Sequence, residues 1–387
     1  MKIAHVIRTY SRVEWGGVQD LVSSLAKYQR LRGDDARIFC TDALQPPEGT
    51  QEAEAFPYVY PYFPLTEKKR RSLDQKGGDP YSSALIRAVR AFEPDVIHIH
   101  ASRRLACAAV KLAEELGAVS VLSMNGDERP QTPNEMARIR AMLWNVLHFG
   151  PVIDFVRGTN FSPIGRASAV ISSSREQGNA ILRRHPEQKV RYLPLGTSSK
   201  RYEHRPFEKA RNVLCLSRID YHANQASLVE LLEAFPEMRI RLIGPVFSLV
   251  YRDKVLDYAK KRGVADRLRI DRPLTPADAG FHEAFAEADA FVLPTLGSTA
   301  GLSALEAMAH GVPVVTAATG GLVDFVRDGE NGLLFDPTRK DALAKAFGRL
   351  TPELAATLVA GAYETAKERS WPALIDRLAR YYGELRR

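Results

Sequence analysis

Residues 292–316 read V-L-P-T-L-G-S-T-A-G-L-S-A-L-E-A-M-A-H-G-V-P-V-V-T, and their pattern decides the fold. Phe291-Val292-Leu293 is a short apolar strand that Pro294 closes. A turn of small residues follows, in which Gly297 and Gly301 can take backbone angles that other residues resist. From Ala300 the apolar positions Leu302, Leu305 and Met308-Ala309 recur at helical spacing. Gly311 and Pro313 end that helix, and Val312 to Val315 starts another buried strand. The order is strand, glycine turn, helix, strand, with free N–H groups at the helix start that favour an anion at the mouth of a parallel sheet. Glu306, a turn and a half into the helix, is placed to accept the hydroxyls of a ribose.

Outward from this stretch the same alternation recurs. Lys2 to Arg8 predicts a first strand, Gly16-Gly17 a turn, Leu21, Leu25 and Leu31 a helix, and Ala36 to Thr41 a second strand. The glycine pair stands at the carboxyl end of the first strand, the ligand side of an open α/β sheet. It is not G-x-G-x-x-G, so the nicotinamide or flavin fingerprint is absent. Residues 45 to 80, with the run Lys68-Lys69-Arg70-Arg71, read as a solvated loop or helix start, with a membrane-facing patch as the sharper option. Asn134 to Phe149 has one apolar face with Arg138 and Arg140 opposite, an amphipathic helix for the core or for a lipid or acceptor surface. His98 and His100 share a strand face. No third ligand is placed near them in sequence, so structural histidines are the expectation and no metal is assigned. A polar run after Leu195-Gly196 reads as a linker, and Val213 restarts the alternation.

At 387 residues, 45% hydrophobic and 26% charged, the chain fits two globular domains. It has no apolar run of eighteen residues and no signal-like start, so a cytoplasmic protein is expected, with peripheral contact to the inner membrane surface as an option. Cys40, Cys107 and Cys215 are scattered in apolar settings and read as buried small hydrophobes. The net charge of +8 favours an anionic partner. Nucleic acid is not expected, for no helix-turn-helix, zinc finger or aromatic platform is visible.

The opening stretch resembles the signature of the retaining glycosyltransferases of family 4. The match runs through Pro294, Gly301, Leu305, Glu306, Ala307, Met308, Ala309, Gly311, Pro313 and Val314-Val315. Asp95 to His100 is similar to the family's D-x-I-H-x-H, and Arg218-Ile219-Asp220 with Asn224-Gln225 to its G-R-I-D-x-x-K-N-Q. Three positions depart from the pattern. Ser298 stands where the family has a glutamate, Asn125 where it has a histidine, and Ala223 where it has a lysine.

The resemblance implies the GT-B architecture, two Rossmann-like doubly wound α/β domains facing across a cleft. Residues 1–195 would form the acceptor domain, 196–206 a linker, 207–370 the nucleotide-sugar domain, and 371–387 a helix returning to the first. It implies sugar transfer from a nucleotide diphosphate, UDP favoured over GDP, to a hydroxyl on a glycan or lipid-linked sugar, with no further cofactor. Arg218 would hold the diphosphate, Ser298 and Asn125 would touch the sugar, and Glu306 would bind the ribose. Gly16, Gly17, Leu274, Ser298, Thr299, Ala300, Gly301 and Leu302 complete the implied donor site. His222 or Lys200 could stand in for the missing lysine. A second reading takes the three departures at face value, as a GT-B relative that binds or scaffolds without turnover. A sugar-nucleotide epimerase or a phosphorylase on the same scaffold fits the motifs less well.

Overall fold

The computed structural model describes residues 1–11, 17–44, 52–60, 65–75, 78–101, 103–124, 150–197, 200–297 and 300–387. Gly16, Asn125, Ser298, Thr299 and the helix expected over residues 134–149 lie outside them.

The chain folds as two parallel sheets. The first holds β1 (Lys2–Thr9), β2 (Asp35–Thr41), β3 (Ala53–Phe56), β4 (Val96–His100), β5 (Val119–Met124), β6 (Ala169–Ser172) and β7 (Val190–Tyr192), in the order β3-β2-β1-β4-β5-β6-β7. The second holds β8 (Asn212–Leu216), β9 (Arg239–Ile243), β10 (Leu268–Asp271), β11 (Ala290–Leu293), β12 (Val314–Ala317) and β13 (Leu333–Phe335), in the order β10-β9-β8-β11-β12-β13. All the paired strands run parallel, which demands crossovers that cover both faces, and the central strands are buried in continuous runs rather than alternating. β4 and β11, central in their sheets, are buried at every residue.

In each sheet the order reverses beside the first strand, between β1 and β4 and again between β8 and β11. Loops leaving adjacent strands diverge at such a point and leave a crevice at their carboxyl ends. The glycine pair follows β1, the Arg218 loop follows β8, and the turn at residues 294–301 follows β11.

The last helix, Trp371–Leu385, belongs to the first domain's core. Its Trp371, Leu374, Ile375, Leu378, Tyr381 and Tyr382 are buried with Ile3 and Ile7 of β1 and with Leu21, Val22 and Leu25 of the helix Gly17–Leu31. Seven-residue recurrence of apolar positions gives this helix its inward face. The chain therefore passes between domains twice, and the two crossings lie side by side. Thr197 N–H donates to the Arg369 carbonyl at 3.0 Å, and Trp371 N–H donates to the Thr197 carbonyl at 3.0 Å.

The described parts of residues 45–80 hold regular structure. They contain β3 and the helix Glu67–Gln75, which carries the basic run on exposed positions. Arg71 pairs with Glu67 at 2.7 Å, and the Arg70 guanidinium lies 4.5 Å from the Tyr58 ring.

Candidate functional site: the crevice at β8 and β11

Arg218 stands just past β8, 39% exposed, with its Nε 2.8 Å from the Asp220 carboxylate. Asp220 also accepts the N–H groups of His222 and Ala223, both at 3.0 Å, and so folds the chain into a single tight turn over Tyr221–Ala223. That turn ends at Asn224, which takes the left-handed region at φ 56° that asparagine tolerates. Its side chain donates to the Pro294 carbonyl at 3.1 Å, and Gln225 Nε2 donates to the Arg218 carbonyl at 2.8 Å. Leu296 N–H and Thr295 Oγ1 both donate to the His222 carbonyl, at 2.8 and 3.0 Å. Of the residues N-Q in the motif, Asn224 thus fastens the arginine loop to the turn after β11, and Gln225 braces the loop from within.

Ala223, at the family's lysine position, is buried at 5% exposure beneath this turn. Of the two stand-ins, His222 lies at the turn, its ring 3.6 Å from where a Cβ on Gly297 would be. Lys200 does not. Its ammonium sits over the Tyr202 ring, which stacks on His310 at the carboxyl end of the helix Leu302–Ala309. At about 1.5 Å of rise per residue, that is roughly 12 Å from the helix start. The linker runs along the outer end of the helix, so Lys200 cannot substitute.

Gly301 caps the helix Leu302–Ala309 at φ +76°, with Ala300 and Leu302 packed against the first domain's core. A Cβ on Gly301 would fall 2.8 Å from Leu322 Cδ2 and 2.9 Å from Phe325 Cε1, so conformation and space both require glycine. Glu306, from the same helix, is turned inward. Its Oε1 accepts from Thr197 Oγ1 at 2.8 Å, at the point where the chain crosses between domains. Burial above all, and then the nearby Asp20 carboxyl, pushes Glu306 up to about 8, while the Thr197 hydroxyl pulls it back. Asp20, in the first turn of the helix Gly17–Leu31, keeps some accessible surface. Protein nevertheless crowds it, and that crowding pushes its carboxyl up to about 7. A carboxyl of the first domain therefore acts on one of the second across the crevice.

Gly17 opens the helix beneath the crevice, and among the described residues nothing lies within 4 Å of a Cβ position there. Leu274 is half-buried beside the first turn of the helix Ala279–Glu287, 3.8 Å from a Cβ on Gly280. It lies in the loop after β10, two strands out from the β8 that carries Arg218.

A second set of contacts holds the domains at the back of the crevice. The carboxylate of Asp324 accepts the Arg175 N–H at 2.9 Å, and Arg369 Nη2 donates to both the Asp324 carbonyl and the Tyr192 hydroxyl, at 3.1 and 3.2 Å. Sequence reading missed Thr197, Asp20 and this cluster. Ser174 before a charged helix start was a cap signal, but nothing local pointed to Asp324.

The histidine pair is also resolved. His5, opposite His98 on β1, supplies a third ring, and its Nδ1 lies 3.1 Å from His100 Nε2. His5 Nε2 meets Gln29 at 2.6 Å, while His98 meets Ser123 and the Tyr382 hydroxyl, each at 2.6 Å. Both nitrogens of His5 and of His98 are thus engaged in one buried network that ties the last helix to the sheet. Burial lowers all three rings, His5 to about 4. His100 is 7% exposed and so belongs to this network rather than to an open cleft wall. Burial likewise pushes the Cys107 and Cys215 thiols up, to about 11 and 12, so neither is a poised nucleophile.

Two family models match, Glycosyltransferase Family 4 over residues 15–201 and Glycosyl transferases group 1 over residues 210–352. The chain belongs to the family 4, group 1 glycosyltransferases. Among curated relatives of this family 4 chain, the D-inositol 3-phosphate glycosyltransferase of Actinosynnema mirum is 38% identical over 165 residues, 40% of this chain and 39% of the relative. A GDP-mannose-dependent alpha-(1-6)-phosphatidylinositol monomannoside mannosyltransferase of Mycolicibacterium smegmatis is 31% identical over 219 residues, 50% of this chain and 56% of the relative. The matches therefore span about half of each relative's own length or less. Two solved structures share the whole fold. The sucrose-phosphate synthase of Thermosynechococcus elongatus has a TM-score of 0.73 at 21% identity, covering 99% of this chain and 98% of its own. Anabaena HepE, solved with UDP and glucose, has 0.73 at 18%, covering 99% and 100%.

Proposed function

We propose that this family 4 chain is a retaining, metal-independent hexosyltransferase that takes its sugar from a nucleotide diphosphate, UDP before GDP. The acceptor would be a hydroxyl on a glycan or lipid-linked sugar of the cell envelope. The observation that carries this reading is the fastening of the Arg218 loop to the turn before Gly301, which sets a cation and a helix start over one crevice with Glu306 behind them.

The charge of a leaving diphosphate grows as the glycosidic bond breaks, so donors fixed in advance at its oxygens favour the transition state over the ground state. Arg218 would supply its two Nη groups, since Nε is held by Asp220. The N–H groups at the start of the helix Leu302–Ala309 would supply neutral donors, and His222 is the nearest candidate for a second cation. Glu306 would take the ribose hydroxyls. Gly17 leaves its backbone open to donor or acceptor, and Ser298 and Asn125 remain proposed sugar contacts. HepE, crystallised with UDP, supports a uridine donor, while the mycobacterial relative named for GDP-mannose keeps the guanine alternative in the test. A peripheral membrane contact would fit the exposed Val152, Phe155 and Val156 on the helix Gly150–Arg157.

The second reading, binding without turnover, is favoured by Ala223. Its burial leaves no side chain at the phosphate where the family places a lysine, and one such lost donor typically costs ~10²–10³ in rate. Calorimetric titration of UDP, GDP and ADP into the wild type and Arg218→Ala tests the site, and a turnover assay with the sugar conjugate of the tightest nucleotide, with and without a chelator, tests the chemistry. Binding that Arg218→Ala abolishes, with turnover, supports the transferase. The same binding without turnover supports the second reading, and no nucleotide binding at all overturns the transferase and leaves the scaffold form of the second reading, which pulling down a protein partner then tests.

A further inference from the structure

The last helix does not reach the edge of the first sheet. Between it and β7 lies a groove of about 250 Å³, with the Tyr192 and Tyr381 rings in its walls and Arg191, Arg377 and Arg380 around it. Arg377 and Arg380, three residues apart on the helix, point to the same side. Arg191 enters from β7 and lies 4.1 Å from the Tyr381 ring. Among the described residues one carboxylate lines the groove, that of Glu384, and it meets Arg191 at 3.1 Å with both side chains about half exposed. Among the described residues, neither Arg377 nor Arg380 pairs with a carboxylate. Beyond Tyr192 stand two more guanidiniums, Arg369 bonded to its hydroxyl and Arg175 5.2 Å from its ring.

Three guanidiniums around a space of this size repel one another, and only one of them is neutralised from within. An anion shared between Arg377 and Arg380 removes that repulsion. The planar fork of arginine matches two oxygens of a phosphate at once, which a lysine cluster would not do. The volume exceeds what a phosphate fills, and the remaining walls are aromatic faces that suit the C–H surface of a sugar or glycerol unit. We propose that this groove is a binding site for a phosphorylated polyol, its phosphate held by Arg377 and Arg380 and its polyol against Tyr192 and Tyr381. The site is on the first domain at the sheet edge, away from the crevice at β8 and β11, and stands whether or not the transferase reading does. The ligand can come free, as a sugar or glycerol phosphate, or as a phospholipid headgroup.

The test titrates glycerol 3-phosphate, with glycerol as control, into the full chain by calorimetry and sediments it with phosphatidylglycerol or phosphatidylcholine vesicles. Glycerol 3-phosphate should bind and glycerol should not. R377Q/R380Q should weaken binding about 10-fold or more for each arginine removed, the size of a lost charge-assisted bond. Glu384→Gln, which frees Arg191 from its carboxylate, should tighten it several-fold, and this variant carries the test if the double variant fails to fold. Binding to phosphatidylglycerol vesicles but not to free glycerol 3-phosphate, lost in R377Q/R380Q, assigns the headgroup as the source and supports the site. No binding in either arm, or binding that R377Q/R380Q and Glu384→Gln leave unchanged, overturns it.

Discussion

Replacing Glu306 by glutamine should separate stability from binding in a pH-dependent way. In the folded, empty protein burial and the neighbouring Asp20 raise this carboxyl from 4.5 to about 8, whereas in the unfolded chain it titrates normally. The folded state therefore holds a proton that the unfolded state has released. Its contribution is present in full below pH 4.5, falls as pH rises, and is lost above about 8. At about 1.4 kcal/mol per unit, the wild type should lose roughly 4 kcal/mol between pH 5 and pH 8.5 that the glutamine variant does not. Urea titrations of both proteins across this range give the difference directly. The two should be nearly equal in stability at pH 5, and Glu306→Gln should be the more stable at pH 8.5. Nucleotide binding should change the other way. An ionised carboxylate accepts ribose hydroxyls more strongly than a neutral acid or amide, so wild-type affinity should rise with pH toward 8 with release of a proton, and the variant's weaker binding should not change with pH. A stability difference that does not change with pH would refute the placement of Glu306 in a closed, proton-holding site.

Three further outcomes follow from the geometry. Gly301→Ala forces an alanine into φ +76° and against Leu322 and Phe325, and should cost about 2–5 kcal/mol in denaturant titration, the sum of the left-handed and overpacking terms. Tyr382→Phe leaves His98 Nδ1 buried without its partner and should cost about 1–3 kcal/mol, seen as faster hydrogen exchange in the helix Trp371–Leu385. Asp324→Asn removes a charge-assisted bond to the Arg175 N–H and should loosen the domains, detected as a larger radius of gyration in solution scattering while each domain's own unfolding midpoint stays put.

The fold was legible because its signals are local. A glycine, a proline and a few apolar residues at helical spacing place β11, the helix Leu302–Ala309 and β12 within a residue or two. The loop and the helix that carry Arg218 and Glu306 were legible through motif spacing, and Asn224 and Gln225, read as register marks, also fasten and brace that loop. What escaped depends on pairs distant in the chain. Glu306 meets Thr197 across 109 residues, Asp324 meets Arg175 across 149, and His98 meets Tyr382 across 284. No periodicity links such partners, because only the packing of two finished sheets brings them together. Within residues 45–80, read as a solvated loop or helix start, the helix start is found at Glu67, and β3 was missed for a related reason. β3 is an edge strand with two of its four residues exposed, so it lacks the continuous apolar run that marks the central strands. Lys200 was a candidate on charge alone, and the path of the linker sends it to the wrong end of the helix.

The adoption of the helix Trp371–Leu385 by the first domain bears on how the chain is made. β1 leaves the ribosome long before the last helix, and six large side chains of the core around it arrive only with residues 371–382. At ~5–20 residues per second, the span from 196 to 385 takes about 10–40 s to synthesise. During that interval the face of β1 and the helix Gly17–Leu31 stays without its cover, while the second domain can complete its own core. The order of completion is therefore the reverse of the order of synthesis, and chaperones would meet the first domain as the late-closing half.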